Sequence, residues 1–327
     1  MHHAVVVVTG ASSGIGRATA LECARRGARV VLAARSLAVL EQVARACGRD
    51  ADTLVVRTDV TDERAVDALA AAAVRRYGRI DVWVNAAAVG ILGRFDQVPL
   101  DDLRRLLEVN VLGAVHAARA VVPVMRRQGR GVVIDVASLL GARVQAPYMG
   151  GYAMSKAALV TFDEVLREEL GLLGEKRISV CTVLPTGVDT PFFRHAANHT
   201  GRTQRSLPPV ATPERVARAI VRTARSPRRR VLVGPYARTM AAGQTLAPGL
   251  VRWGVSRRTD RAYFGPAHPD APGTGILHTP SGDSAAVHGG RRGGLRTAGR
   301  RAAAATALLV TARGAHAARR RRAARTR

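Results

Sequence analysis

The stretch Val5–Gly16, VVVVTGASSGIG, limits the fold more than any other part of this chain. Four successive valines favour an extended backbone, Thr9-Gly10 stops the run at once, and Gly14 and Gly16 open a helical pattern that continues to Arg26. A strand that turns through glycines straight into a helix is the first unit of a parallel α/β layer. Such a loop also suits an anion. Gly10 permits the tight turn, Gly14 lets backbone N–H groups approach a pyrophosphate, and Gly16 lets helix and strand pack closely. The helix N-terminus turns the positive end of its dipole towards the phosphates. Gly10, Ser12, Ser13, Gly14, Ile15 and Gly16 are therefore candidate contacts of a dinucleotide.

The same alternation continues down the chain. Strands are predicted over Ala4–Val8, Arg29–Ala33, Thr53–Thr58, Ile80–Asn85, Gly131–Ala137, Ile178–Leu184 and Arg230–Val233. They are nearly continuous apolar runs, as parallel strands covered on both faces require. Between them, helices are predicted over Gly14–Arg26, Leu37–Cys47, Asp62–Tyr77, Leu100–Arg127, Tyr152–Leu173 and Pro213–Arg225. Ser36 is expected to cap the second helix and Thr212 the last, where Pro213 takes the first helical position. The fold class is α/β: a doubly wound, seven-stranded parallel sheet with right-handed crossovers. The alternation ends near Gly265. Residues 1–265 are read as one catalytic domain, in which 236–263 form a broken helix packed on it, and 266–327 as a disordered tail rich in Arg, Ala and Gly.

At the end of the second strand, VVLAAR offers Ala34 and Arg35 where an acidic residue would hold the adenosine ribose of NAD. A small neutral residue followed by a guanidinium suits a 2′-phosphate, because arginine presents forked donors and a permanent charge. The alternative is an arginine solvated in its loop. The reading is NADP.

Of 51 basic residues only Lys156 and Lys176 are lysine, and Lys156 stands four positions after Tyr152 in YAMSK. On a helix the two share a face. A nearby ammonium is expected to favour phenolate and lower the phenol from its ordinary pKa near 10. A compact ammonium can also bind a ribose hydroxyl, where a broad guanidinium fits badly. Ser138 ends the fifth strand at the sheet's carboxyl edge, where its hydroxyl can hold a substrate carbonyl. Asn110, after the fourth strand, is the candidate to fix a water that links Lys156 to solvent.

TGASSGIG, NAAA at 85–88, Asn110, Ser138 and YAMSK together resemble the short-chain dehydrogenase/reductase family over about residues 4 to 265. The resemblance implies a seven-stranded Rossmann fold and the tetrad Asn110, Ser138, Tyr152 and Lys156, with Tyr152 as acid/base. It implies hydride transfer between NADP(H) and a carbonyl or alcohol carbon. It also places Asp59 and Val60 at the adenine, Asn85 and Ala87 beside the cofactor, and Pro185, Val188 and Thr190 at the nicotinamide. The family's usual Asn-Asn-Ala-Gly reads Asn85-Ala86-Ala87-Ala88 here, and Thr186 replaces a common glycine. Helices 100–127 and 152–173 are implied as the seam of a homodimer or homotetramer.

The formal charge of +27 is spread along the chain without interleaved aromatics, which argues against nucleic acid as a partner. Residues 266–327 hold twelve arginines against Asp270 and Asp283, so peripheral contact with an anionic membrane is open to the tail. The rival reading is a dinucleotide-binding regulatory or anchoring protein whose tail binds membrane or nucleic acid. Cys23, Cys47 and Cys181 have no metal-ligand spacing and fit a reducing cytoplasm. The apolar window 302–312 is about half the length a bilayer needs. His195 and His199 lie four apart but lack the glutamate of a zinc helix, and no metal is expected. With Phe192, Phe193 and Leu207 they are read as a lid, and Tyr148 as a lining of a partly apolar substrate pocket.

Overall fold

In a computed structural model, residues 1–202, 209–263, 273–280 and 286–290 are described. Seven parallel strands run in the order β3-β2-β1-β4-β6-β7-β9. They are β1 (Val5–Thr9), β2 (Arg29–Ala34), β3 (Thr53–Arg57), β4 (Val82–Asn85), β6 (Gly131–Val136), β7 (Ile178–Pro185) and β9 (Arg230–Val233). The order reverses at β1, so the crevice at the carboxyl ends of β1 and β4 is the natural ligand site. Two short strands, β5 (Ile91–Leu92) and β8 (Ala197–Asn198), pair apart from this sheet.

Side-chain alternation divides the core. Val5, Val7, Val31, Trp83, Val133 and Val180 belong to one apolar cluster, and Val6, Val8, Val30, Leu32, Val84 and Ile134 to another. Helices α3 (Glu63–Tyr77), α5 (Gly113–Gln128) and α7 (Gly150–Leu172) contribute to the first cluster. Helices α1 (Gly14–Arg25), α2 (Leu37–Ala46) and α9 (Pro213–Arg225) contribute to the second. Three-layer covering of this kind is why the strands read as unbroken apolar runs.

Several expectations are corrected. The predicted helix 100–127 is α4 (Leu100–Leu107), a π turn (Glu108–Leu112) that carries Asn110, and α5. Ser36 makes no side-chain cap, whereas Thr212 accepts from Arg215 N as expected. Two further short helices are α6 (Leu139–Ala142) and α8 (Phe192–His195). Residues 236–263 do break, into α10 (Ala237–Leu246) and α11 (Pro248–Arg258), because Pro248 cannot continue α10. They do not bury their apolar residues, since Leu246, Leu250 and Trp253 are exposed.

The tail expected from Pro266 onwards is also corrected in part. The described residues 273–280 and 286–290 belong to the same compact unit as the sheet and hydrogen-bond to it. Leu207, the apolar window 302–312 and the arginine-rich end lie outside the described residues.

Candidate active site

The glycine loop sits at the switch between β1 and β4. Gly10 has φ +66°, and a Cβ there would press on the backbone of Ala86 and Ala87, 2.6 Å from Ala87 N. Gly16 does not line the cleft; a side chain there would strike the Gly10 carbonyl, so its part is packing. The N-terminus of α1 has no side-chain cap: Ser13 at the N-cap makes none, the first turn holds no acidic residue, and Gly14 N donates to the Ala286 carbonyl at 3.0 Å. The dipole's positive end, uncompensated by any side chain, favours an anion there. Ser12, Ser13, Gly14 and Ile15 line the cleft beside it.

The cleft has a volume of about 270 Å³ and runs from Arg35, Asp59 and Val60 to Ser138, Tyr152 and Lys156. Ala87, Pro185, Val188 and Thr190 line it as well. Asn85 stands behind it. Its amide accepts from Trp83 Nε1 at 2.8 Å and donates to Asp135 at 2.6 Å, which makes it a brace across the sheet. Thr9 Oγ1 takes up the Ala86 and Ala87 N–H groups at 3.3 and 3.4 Å, holding the loop after β4 without the family's second asparagine.

Tyr152 and Lys156 lie on the first two turns of α7. Gly141, at φ +90°, lets the loop after β6 press against the Ala153 carbonyl, where a Cβ would clash. This brings Ser138 and Tyr152 to the same end of the cleft. The Ser138 oxygen itself accepts from Leu140 N at 3.1 Å. Lys156 Nζ is buried, donates to the Val136 carbonyl at 3.0 Å, and lies 5.7 Å from the Tyr152 ring centre.

The electrostatics differ from expectation. Burial pushes Tyr152 up to about 12, with the Ser138 hydrogen bond opposing, so the phenol is a protonated acid. Burial also draws Lys156 down to about 8, with the Asp135 and Asp163 carboxyls pulling the other way. Desolvation of the phenolate outweighs an ammonium that faces the ring and not the hydroxyl.

Asp135 and Asp163 are themselves buried, and burial raises both above the usual carboxylate range. Asp135 Oδ2 and Asp163 Oδ1 receive no N–H or O–H from other groups. The charge of this pair pulls Lys156 towards its ammonium form, against burial. Neither aspartate was anticipated from sequence. The register Asn85–Asp135–Thr182 across β4, β6 and β7 puts Asp135 beside the threonine that donates to Asp163 on α7, and only the sheet order reveals it.

Asn110 spends its side chain on structure. Its Oδ1 accepts from Val89 N at 2.9 Å, and its Nδ2 donates to Val89 O and to Ser155 Oγ, both at 3.0 Å. A cavity of about 10 Å³ lies between Asn110 and Lys156, roughly the room of one water.

The substrate end is apolar, with Leu140, Met149, Phe192 and Phe193 as walls. Phe192 meets the Tyr152 ring edge-on, 5.1 Å between centres. Tyr148 is not part of this wall; its hydroxyl donates to Asp260 at 2.7 Å. His195 lines the cleft, while His199 turns to Asp102 at 2.8 Å, so the two do not converge. Arg35 is at the cleft as predicted, but it also donates to the carbonyl of Ile276 at 2.7 Å.

This geometry agrees with what the chain is similar to. The sequence profile of the short chain dehydrogenase family matches residues 4–200. The uncharacterized oxidoreductase YxnA of Bacillus subtilis is 35% identical over 280 residues, covering 82% of this chain and 74% of that protein. A short-chain dehydrogenase/reductase from Burkholderia phymatum in complex with NAD superposes with a TM-score of 0.68 at 26% identity, covering 77% of this chain and 96% of that one. One from Burkholderia cenocepacia in complex with NADP gives 0.66 at 26% identity, covering 78% and 98%. The chain belongs to the short-chain dehydrogenases, a family of oxidoreductases.

Proposed function

We propose that this oxidoreductase uses NADP(H) and acts on the carbonyl or alcohol carbon of a small apolar substrate. The observation that carries the reading is the convergence of Ser138, Tyr152 and Lys156 at one end of a cleft whose other end holds the glycine loop, the start of α1 and Arg35. Gly10, Ser12 to Ile15, Arg35, Asp59, Val60, Ala87, Pro185, Val188 and Thr190 would hold the dinucleotide, which supplies or accepts the hydride.

The chain's own groups manage the proton. Ser138 holds the substrate oxygen beside the phenol, and Tyr152, protonated at neutral pH, donates to that oxygen during reduction. Lys156 offers a buried positive charge that favours the phenolate left behind. The cavity between Asn110 and Lys156 suits a water through which the proton is replaced. Asn110 positions this region through Val89 and Ser155 instead of binding that water with its amide. The walls formed by Leu140, Met149, Phe192 and Phe193 support a lipophilic substrate.

We place the enzyme in the cytoplasm as a homodimer or homotetramer. Exposed Met154, Val165 and Leu172 on α7 support such a seam, and light scattering tests it. For the activity, the purified chain is mixed with NADPH or NADH and a panel of ketones. Turnover with NADPH that disappears in Tyr152→Phe supports the reading; Tyr152→Phe turning over at the unmodified rate overturns it.

A further inference from the structure

We infer that Gly273–Pro280 is a built wall of the dinucleotide site, closing the cleft over its adenosine half. The inference rests on the reading that this cleft holds a dinucleotide.

The segment is fastened along its length. Gly273 forms an antiparallel bridge with Asn198, and Ile276 N donates to the His195 carbonyl at 2.9 Å. Leu277 is fully buried in the apolar cluster that contains Val60, Leu106 and Val109. Its carbonyl lies 3.5 Å from both Arg35 Nη1 and Arg105 Nε. Asp102 on α4 grips two histidines with one carboxylate: Oδ2 meets His199 Nε2 at 2.8 Å and Oδ1 meets His278 Nε2 at 2.9 Å. The lid residue His199 and this segment are thus pinned to one anchor.

A plug and a wall are told apart by what remains open. Ile276 and Pro280 line the cleft together with Asp59, Val60 and Val109, so the space beside these groups persists under the segment. Leu277 points away from it, into the core. The open volume of about 270 Å³ lies just below the range usual for ligand sites, as expected of a cleft with a side closed.

The chain returns to the cleft further on. Ala286 O accepts from Gly14 N at 3.0 Å, and Gly289 N donates to the Asp189 backbone at 3.2 Å, beside the loop with Thr190. The described pieces therefore touch the Arg35 end, the glycine loop and the nicotinamide-side loop in turn. The segment also sets Arg35. The carbonyl of Ile276 takes Nη2, and those of Leu277 and His278 approach Nη1, which fixes the guanidinium at the rim.

The test uses the full-length chain. Leu277→Ser releases the anchor, and the double variant Ile276→Gly with Pro280→Gly strips the wall while keeping Leu277. Binding of NADPH and of NADH is titrated by fluorescence, with circular dichroism confirming the fold. Both variants are expected to weaken binding about tenfold, the effect of exposing a few tens of Å² of apolar ligand surface. Their kcat at saturating dinucleotide should stay unchanged, which distinguishes a wall from a damaged core. Hydrogen exchange in 273–280 of the unmodified chain should slow when NADPH is added. Equal or tighter binding by both variants, or exchange indifferent to NADPH, overturns the wall. An unmodified chain that binds neither dinucleotide overturns the functional reading instead.

Discussion

The two ends of the cleft are assembled differently. At the catalytic end, Tyr152 and Lys156 are four residues apart on one helix, and Ser138 ends a strand only fourteen residues earlier. At the other end, Arg35 donates hydrogen bonds to carbonyls of residues 241 to 243 positions away. The catalytic end is written in short-range spacing on rigid elements, whereas the Arg35 end is put together from pieces distant in sequence. A change at the first end should therefore alter turnover, and a change at the second should alter affinity.

The largest expected effect is at the phenol. Tyr152→Phe should lower kcat by about a thousandfold, within the range of general acid catalysis, with NADPH affinity unchanged. A parallel rise in the dissociation constant would blur the division between the two ends.

Arg35→Ala comes next. Losing a charge-assisted contact to a phosphate should raise the KM for NADPH by about thirtyfold and leave NADH and kcat nearly untouched. Equal effects on both dinucleotides would show that Arg35 serves only to hold Gly273–Pro280.

A smaller effect belongs to pH. Lys156 loses its proton near 8 while Tyr152 keeps its own up to about 12, so kcat/KM for reduction should fall as pH rises through about 8. Asp135→Asn removes a charge that supports the ammonium and should move this fall to lower pH. The same lysine has a sign in stability. Between about 8 and 10.5 the unfolded chain binds a proton that the folded chain does not, so stability should rise with pH across that window. Urea unfolding at a series of pH values checks it.

The smallest effect contrasts two helix starts. Thr212 caps α9, and Thr212→Ala should cost about 1 kcal/mol. Ser13 caps nothing, so Ser13→Ala should leave the melting temperature alone while affecting dinucleotide binding.

Much of this was readable from the chain. The central strands appear within one or two residues of their apolar runs, because burial on both faces leaves little room for another pattern. The glycine loop and the Tyr152–Lys156 pair were equally legible, since turn geometry and helical spacing are local. The phenol's pKa was not, because it depends on how far the ring is buried, which no spacing records. The paired Asp135 and Asp163 were hidden for a related reason: they meet only once β6 and α7 are laid together. Gly273–Pro280 looked like tail because one buried leucine in a polar, glycine-rich stretch has no period to betray it.

The π turn at Glu108–Leu112 has a consequence for how this chain can vary. It amounts to one residue more than a regular helix would use between the same two ends. Deleting that residue would straighten the helix and leave Ala117, Val121 and Met125 facing the sheet they cover, because the bulge takes up the extra residue locally. Length here can change by one residue without disturbing the packing downstream, so a single-codon loss in the turn is felt first at Asn110, which the turn carries, and only later in the core.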